Sequence, residues 1–184
     1  MAQRLTTLRR ENPDKDVELW CEDELRLGLK PVARRVWALH GKRPTSSGRH
    51  RFESVFVYGF GHPTSGRSRF LVLPKANAVC MVQAPADFAG WADPGRRKVR
   101  VLIVDGSGGH TAKALVIPPN VVLHRLPPPR TPELQPAEHL WPLVREGVAN
   151  RVFDTLEGLT ATLTARCQRL TEHAAVVAGA VGLH

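Results

Sequence analysis

The sequence predicts a mixed α/β domain, one sheet covered by helices, and three observations carry that prediction. Residues 17–29, VELWCEDELRLGL, alternate with a period of two. Residues 99–106, VRVLIVDG, form an apolar run of strand length. Further strand-like runs and helical patterns follow in an order punctuated by proline and glycine. At 184 residues the chain fits one ordinary domain, with room for a real core and one active site.

Residues 1–16 are polar and basic, the tail of a helix or a flexible lead. In the first strand Val17, Leu19, Cys21, Leu25, Leu27 and Leu29 share one face, and Glu18, Glu22, Glu24 and Arg26 the other. Residues 34–48 mix Gly, Pro, Thr and Ser with basic residues, as a loop does. ESVFVYGF (53–60) and SRFLVL (68–73) read as the second and third strands, joined by the turn-rich HPTSGR. A short helix is predicted around Ala86–Trp91, closed by Asp93–Pro94–Gly95.

The run VRVLIVDG suits a central strand covered on both sides. NVVLHRL (120–126) is the fifth strand, entered from Pro118–Pro119 and left through Pro127–Pro129. A helix should begin near Pro136, a residue suited to a first helical turn, and Pro142 should kink or break it. The last helix is predicted from Asp154, with Glu157 completing a capping box, to about Leu170. The apolar tail HAAVVAGAVGLH is not placed by its pattern.

A formal net charge of +9 favours a polyanionic partner, nucleic acid first, while saying nothing about fold. The cysteines Cys21, Cys80 and Cys167 are odd in number and widely spaced, which reads as a reduced, intracellular protein without a zinc motif. No stretch has the composition of a signal peptide or a membrane span, so a soluble, cytoplasmic protein is expected.

Three carboxylates stand out. Asp23 falls on the apolar face of the first strand, where an acid is costly unless paired or metal-bound. The alternative is an ordinary buried Asp that caps a loop or meets an arginine such as Arg34, Arg35 or Arg49. Asp105 ends the apolar strand before Gly106–Ser107–Gly108–Gly109–His110, at a carboxyl edge where sites gather in open sheets. A plain turn-initiating Asp reads equally well there. Glu138 lies in the first turn after Pro136, where a negative charge also suits the helix dipole.

Brought to one point, three such groups would repel unless divalent cations neutralised them. Carboxylate oxygens suit Mg²⁺ or Mn²⁺ rather than zinc. Two such ions, about 4 Å apart, would serve phosphoryl transfer.

The run LPPPRTPELQPAEHLWPLVRE, residues 126–146, resembles the signature around the last catalytic carboxylate of IS630/Tc1/mariner superfamily transposases. VLIVDGSGGH (101–110) resembles that family's second-aspartate motif, and DELRLGLKPVARRVWALHGKRP (23–44) its first. The resemblance implies an RNase H-like mixed sheet, three antiparallel strands then two parallel, flanked by helices. It implies a DDE catalytic domain over residues 17–172, between the polar lead (1–16) and the tail (173–184). It assigns Asp23, Asp105 and Glu138 as catalytic and metal-binding residues, holding two Mg²⁺ or Mn²⁺ ions. Thirty-three positions separate Asp105 from Glu138, which suits the family's closely spaced last two acids.

Members of the family cut DNA at transposon ends and join the freed 3′-hydroxyl to target DNA, typically at TA. The partners implied are double-stranded DNA at transposon ends and target, and a homodimer, in a nucleoid-associated setting. Relatives carry helix-turn-helix modules ahead of this domain, whereas 22 residues precede Asp23 here, so a separate helix-turn-helix chain is one expectation. Gln135 stands where many relatives have Asn.

Arg34, Arg35, Lys42 and Arg43, with Arg96, Arg97, Lys98 and Arg100, are candidate phosphate contacts, against the alternative of solvated faces. His110 is a candidate for the phosphate or the metal, against a loop histidine bonded to backbone. Trp37 and Trp141 are expected in the core rather than as base-stacking platforms. Two rival readings remain beside the transposase: a truncated, non-catalytic remnant that binds DNA or a full-length partner, and an RNase H-type nuclease acting on RNA–DNA hybrids.

Overall fold

The computed structural model describes residues 1–42, 44–45, 52–75, 77–105, 116–127 and 134–182. In chain order these form α1 (Ala2–Glu11), β1 (Asp16–Gly28), β2 (Ser54–Gly61), β3 (Ser68–Leu73), α2 (Ala78–Ala92), β4 (Lys98–Val104) and β5 (Val121–Arg125). A short 3-10 turn (Pro136–His139) then runs into α3 (Leu140–Glu146), followed by α4 (Leu156–Glu172) and α5 (Ala174–Val181). Arg43, Arg49, His110 and the glycine loop after Asp105 lie outside the described residues.

The sheet order is β3-β2-β1-β4-β5. β1, β2 and β3 pair antiparallel, while β4 joins β1, and β5 joins β4, in parallel. Three antiparallel strands followed by two parallel ones is the predicted RNase H-like sheet. β1 changes neighbours along its length. Asp16 to Cys21 pair with β4, and Cys21 to Gly28 pair with β2. Past Cys21 the β1–β4 ladder has ended, at the level where both strand aspartates stand.

Both faces of the sheet are covered. On the odd face Cys21, Leu25, Leu27 and Leu29 pack with Ile103, Leu140, Trp141 and Val144, and with residues of α4 and α5. On the even face Trp20 is fully buried against Phe88, and Glu22 is only 3% exposed. The cause is α2, which begins well before Ala86. The Asn77 side chain accepts from the Cys80 N–H, and the helix runs through Pro85 to Ala92. An interior proline costs about 3 kcal/mol. Burial of Ala84, Phe88, Ala89 and Ala92 in the second core offsets it.

Two other helix starts differ from the pattern. Pro142 neither kinks nor breaks its helix, because the backbone turns from 3-10 to α at Leu140. That places Pro142 in a first α-turn, where an N–H has no intrahelical partner to lose. α4 is capped by Thr155, whose hydroxyl accepts from the Gly158 N–H, rather than by Asp154.

The tail that its pattern left unplaced is α5, and it completes the first core with Val177 and Val181. It packs on the 3-10 turn, α3 and α4. The β2–β3 hairpin reaches up to it: Gly66, at φ +68°, has its ideal Cβ position 1.8 Å from the Ala174 carbonyl oxygen. Gly66→Ala must therefore push α5 off the hairpin and strain a left-handed backbone. A loss of about 3 kcal/mol is expected, read as a fall of roughly 6–12 °C in a thermal melt. A melt within two degrees of wild type would show that the hairpin does not seat α5.

Candidate active site

Asp23 lies in β1 opposite Gly59 of β2, on the odd face, and is 7% exposed. The β1–β4 register, continued two residues past Cys21↔Ile103, sets Asp23 level with Asp105 on that same face. Asp105 stands one residue beyond β4, partly buried. Glu138 is exposed on the 3-10 turn that contacts β1, and its charge acts on Asp23. The sheet thus brings the two aspartates to one level, and the turn adds the glutamate nearby. Among the described residues, no three His, Cys, Asp or Glu side chains are close enough as they stand to hold a metal ion.

The environment of Asp23 is unusual for an acid. Burial pushes its carboxyl up to about 7. The Trp141 indole N–H, which donates to Oδ2 at 2.8 Å, and the Glu24 backbone N–H pull it back down, while Glu138 and Glu22 push it further up. The arginine alternative does not hold for Arg34, which pairs with Glu146 at the surface. Asp23 is therefore a buried, acid-flanked carboxylate. That fits a hard cation: the donor set is all carboxylate oxygen, and bringing it together demands positive charge.

Gln135 and Trp141 flank Glu138 in sequence, and both reach back to β1. Gln135 is buried, and its Nε2 donates to the Glu22 carbonyl at 2.9 Å. Trp141 is buried on Asp23. The element bearing the third acid is thus tied to the strand bearing the first by two side-chain hydrogen bonds. Sequence reasoning missed both ties, and treated Gln135 as a neutral variation. One signal was present: Gly59 interrupts the apolar strand VFVYGF, and a mid-strand glycine marks a close approach.

The basic candidates separate by position. Arg100 corrects its expectation as a phosphate contact, because its side chain is 0% exposed. It pairs with Asp93 at 3.0 Å, faces Glu18 at 3.9 Å and lies over the Phe88 ring. Lys98 is bound to Glu18 at 2.6 Å. Arg96 and Arg97 are exposed, but they precede β4 while Asp105 follows it. At about 3.3 Å per residue they stand some 25 Å from the acids. Arg34, Arg35 and Lys42 are exposed on the segment that follows β1. That segment is pinned by the Val32–Ala149 bridge and by the Arg34 N–H donating to Asn150 Oδ1. Trp37, expected in the core, is wholly exposed on it, whereas Trp141 is core as expected.

A mixed sheet of this order, flanked by helices, is an RNase H-like domain. The chain belongs to the DDE superfamily endonucleases, whose family model matches residues 18–160. It is similar to the uncharacterized protein y4pE/y4sA of Sinorhizobium fredii (strain NBRC 101917 / NGR234). The two are 31% identical over 119 residues, 64% of this chain and 86% of that protein.

In fold it is similar to the Mos1 transposase paired-end complex with left transposon end, at a TM-score of 0.56 and 17% identity. It matches the Mos1 mariner paired end complex with Mn equally well, at 0.56 and 16%, and the complex with Mg at 0.52 and 17%. Those matches cover 99–100% of this chain and 60–61% of the Mos1 chain, so the chain spans about three fifths of that protein. What the two share is the fold, an RNase H-like sheet flanked by helices.

Proposed function

We propose that this domain cuts DNA phosphodiesters at transposon ends and joins the freed 3′-hydroxyl to target DNA, with Asp23, Asp105 and Glu138 as its metal-binding catalytic acids. The observation that carries the reading is the parallel β1–β4 register, which, continued two residues past Cys21↔Ile103, sets Asp23 level with Asp105, together with the charge of Glu138 acting on Asp23. The three carboxylates would hold two Mg²⁺ or Mn²⁺ ions, which supply nucleophile activation and charge neutralisation for phosphoryl transfer. The Mos1 complexes with Mn and with Mg support that choice.

The chain's own contribution is placement. β1 and β4 fix two acids, and the buried odd face limits water around them. Arg34, Arg35 and Lys42, exposed on the segment after β1, would supply positive charge for the DNA backbone. The surface pairing of Arg34 with Glu146 contributes at most about 1 kcal/mol, so a phosphate can displace it. The Mos1 complex with a transposon end supports DNA as the substrate. Residues 17–172 form the catalytic unit of this proposal, and a homodimer or a separate helix-turn-helix chain would supply end recognition. Among the described residues no helix is long and apolar enough to cross a membrane.

The test is nicking of supercoiled DNA by the purified chain with Mn²⁺, beside the same assay on an RNA–DNA hybrid. Metal-dependent nicking of the duplex is expected, with the hybrid cut no faster. A strong preference for the hybrid would replace the transposase reading with the RNase H-type one. Inhibition of an intact relative's transposition on titrating in this chain would favour the non-catalytic remnant, and no change would count against it.

A further inference from the structure

We infer that Trp141 is a positioning residue of the metal centre, seated by the missing side chain of Gly59 so that its indole N–H holds Asp23 in the orientation that binds the ion. The inference rests on the proposed metal-binding role of Asp23, Asp105 and Glu138.

The geometry has three parts. Gly59 is the direct cross-strand partner of Asp23. A Cβ there would lie 2.8 Å from Trp141 Cη2 and 3.2 Å from both Trp141 Cζ3 and Leu140 Cδ1. The indole therefore lies over bare β2 backbone, in the space any other residue would fill. From that seat Nε1 donates to Asp23 Oδ2 at 2.8 Å, in a buried setting where a hydrogen bond to a charged oxygen is strong and directional.

An acid with only packing around it can rotate about χ2. Pinning Oδ2 fixes the carboxylate plane and leaves its other oxygen in a set direction. Trp141 also follows Glu138 by three residues, across the junction of the 3-10 turn with α3. The same ring thus sets how far the third acid stands from the first. Gln135, bonded to the Glu22 carbonyl on the other side of Glu138, keeps the turn from rocking about that contact. Outer partners of metal-binding carboxylates typically govern affinity by 10–100-fold.

The experiment is a Mn²⁺ titration of the DNA-free protein, followed by the electron paramagnetic resonance signal of free Mn²⁺. Wild type, Trp141→Phe, Gly59→Ala and Asp105→Asn are compared. Trp141→Phe retains an aromatic ring and deletes the N–H, while Gly59→Ala displaces the ring without touching any acid or the indole. Both should bind Mn²⁺ at least about 10-fold more weakly than wild type, a loss that a purely structural tryptophan would not produce in a folded variant.

A second readout needs no variant to fold perfectly. The four tryptophans give four indole N–H correlations in an ¹⁵N spectrum, and the Trp141 signal should move most on adding Mg²⁺. Wild-type affinity in both Trp141→Phe and Gly59→Ala, with Asp105→Asn defective, would overturn the inference and leave the metal site standing. An Asp105→Asn variant that binds like wild type would instead overturn the metal-site reading itself.

Discussion

Asp105→Asn and Glu138→Gln are each expected to abolish metal-dependent DNA cleavage, by at least about 1,000-fold, equivalent to about 4 kcal/mol of transition-state stabilisation. The amide replacements keep size and shape, so the effect reports charge and coordination. Neither side chain is fully buried, and surface or half-exposed substitutions of this kind change stability little. The variants should therefore melt near wild type while losing activity. A plasmid-nicking time course with Mn²⁺ reads the rate, and a thermal melt on the same preparation reads the fold. Activity within 10-fold of wild type in either variant would remove that residue from the catalytic set.

Asp23→Asn is expected to do something different: remove activity and raise stability in the absence of metal at alkaline pH. Burial holds the Asp23 carboxyl at about 7 in the folded chain, against 3.8 as the ordinary value. The sign follows from linkage. The folded state binds this proton more tightly than the unfolded state. Its contribution is fully present below about pH 4 and is lost as pH rises through about 7.

At pH 8 the metal-free protein therefore carries a buried charge that its two N–H donors offset only in part, costing on the order of 2–4 kcal/mol. Melts of chelator-treated protein between pH 5 and 8 should fall as pH rises, and the Asp23→Asn variant should fall much less. Comparing the two chains cancels the titration of all other groups. Mg²⁺ or Mn²⁺ should restore the wild-type melt at pH 8 and leave the variant unmoved. Parallel curves for the two chains would mean that Asp23 is compensated by something other than metal.

Much of this architecture was legible because strong local patterns agreed with the tertiary arrangement. The alternation of residues 17–29 located β1 and placed Asp23 on the inner face. The run ending in Asp105 located β4, and Pro136 located the turn bearing Glu138. What failed was governed by partners distant in sequence. α2 was cut short because Pro85 reads locally as a boundary, whereas the second core holds the helix through it. Arg100 looks solvated in a run of basic residues, yet Asp93 and Glu18 sit across from it only once β1 and β4 pair. Trp141 gave a core signal, which was right, but nothing local says that its nitrogen meets Asp23, 118 positions earlier.

The seat of α5 on the Pro136–His139 turn has a consequence for synthesis. Chains fold from their N-terminal end as they are made. β1, β2, β3 and β4, with both aspartates, precede by many residues the helix that braces the turn carrying Glu138. Val177 and Val181 of the core belong to the last element in the sequence. A nascent chain therefore holds two of its acids long before the third is secured. On the proposed reading the acid set stays incomplete while the chain is still being translated, and a stop codon ahead of Ala174 would keep it so.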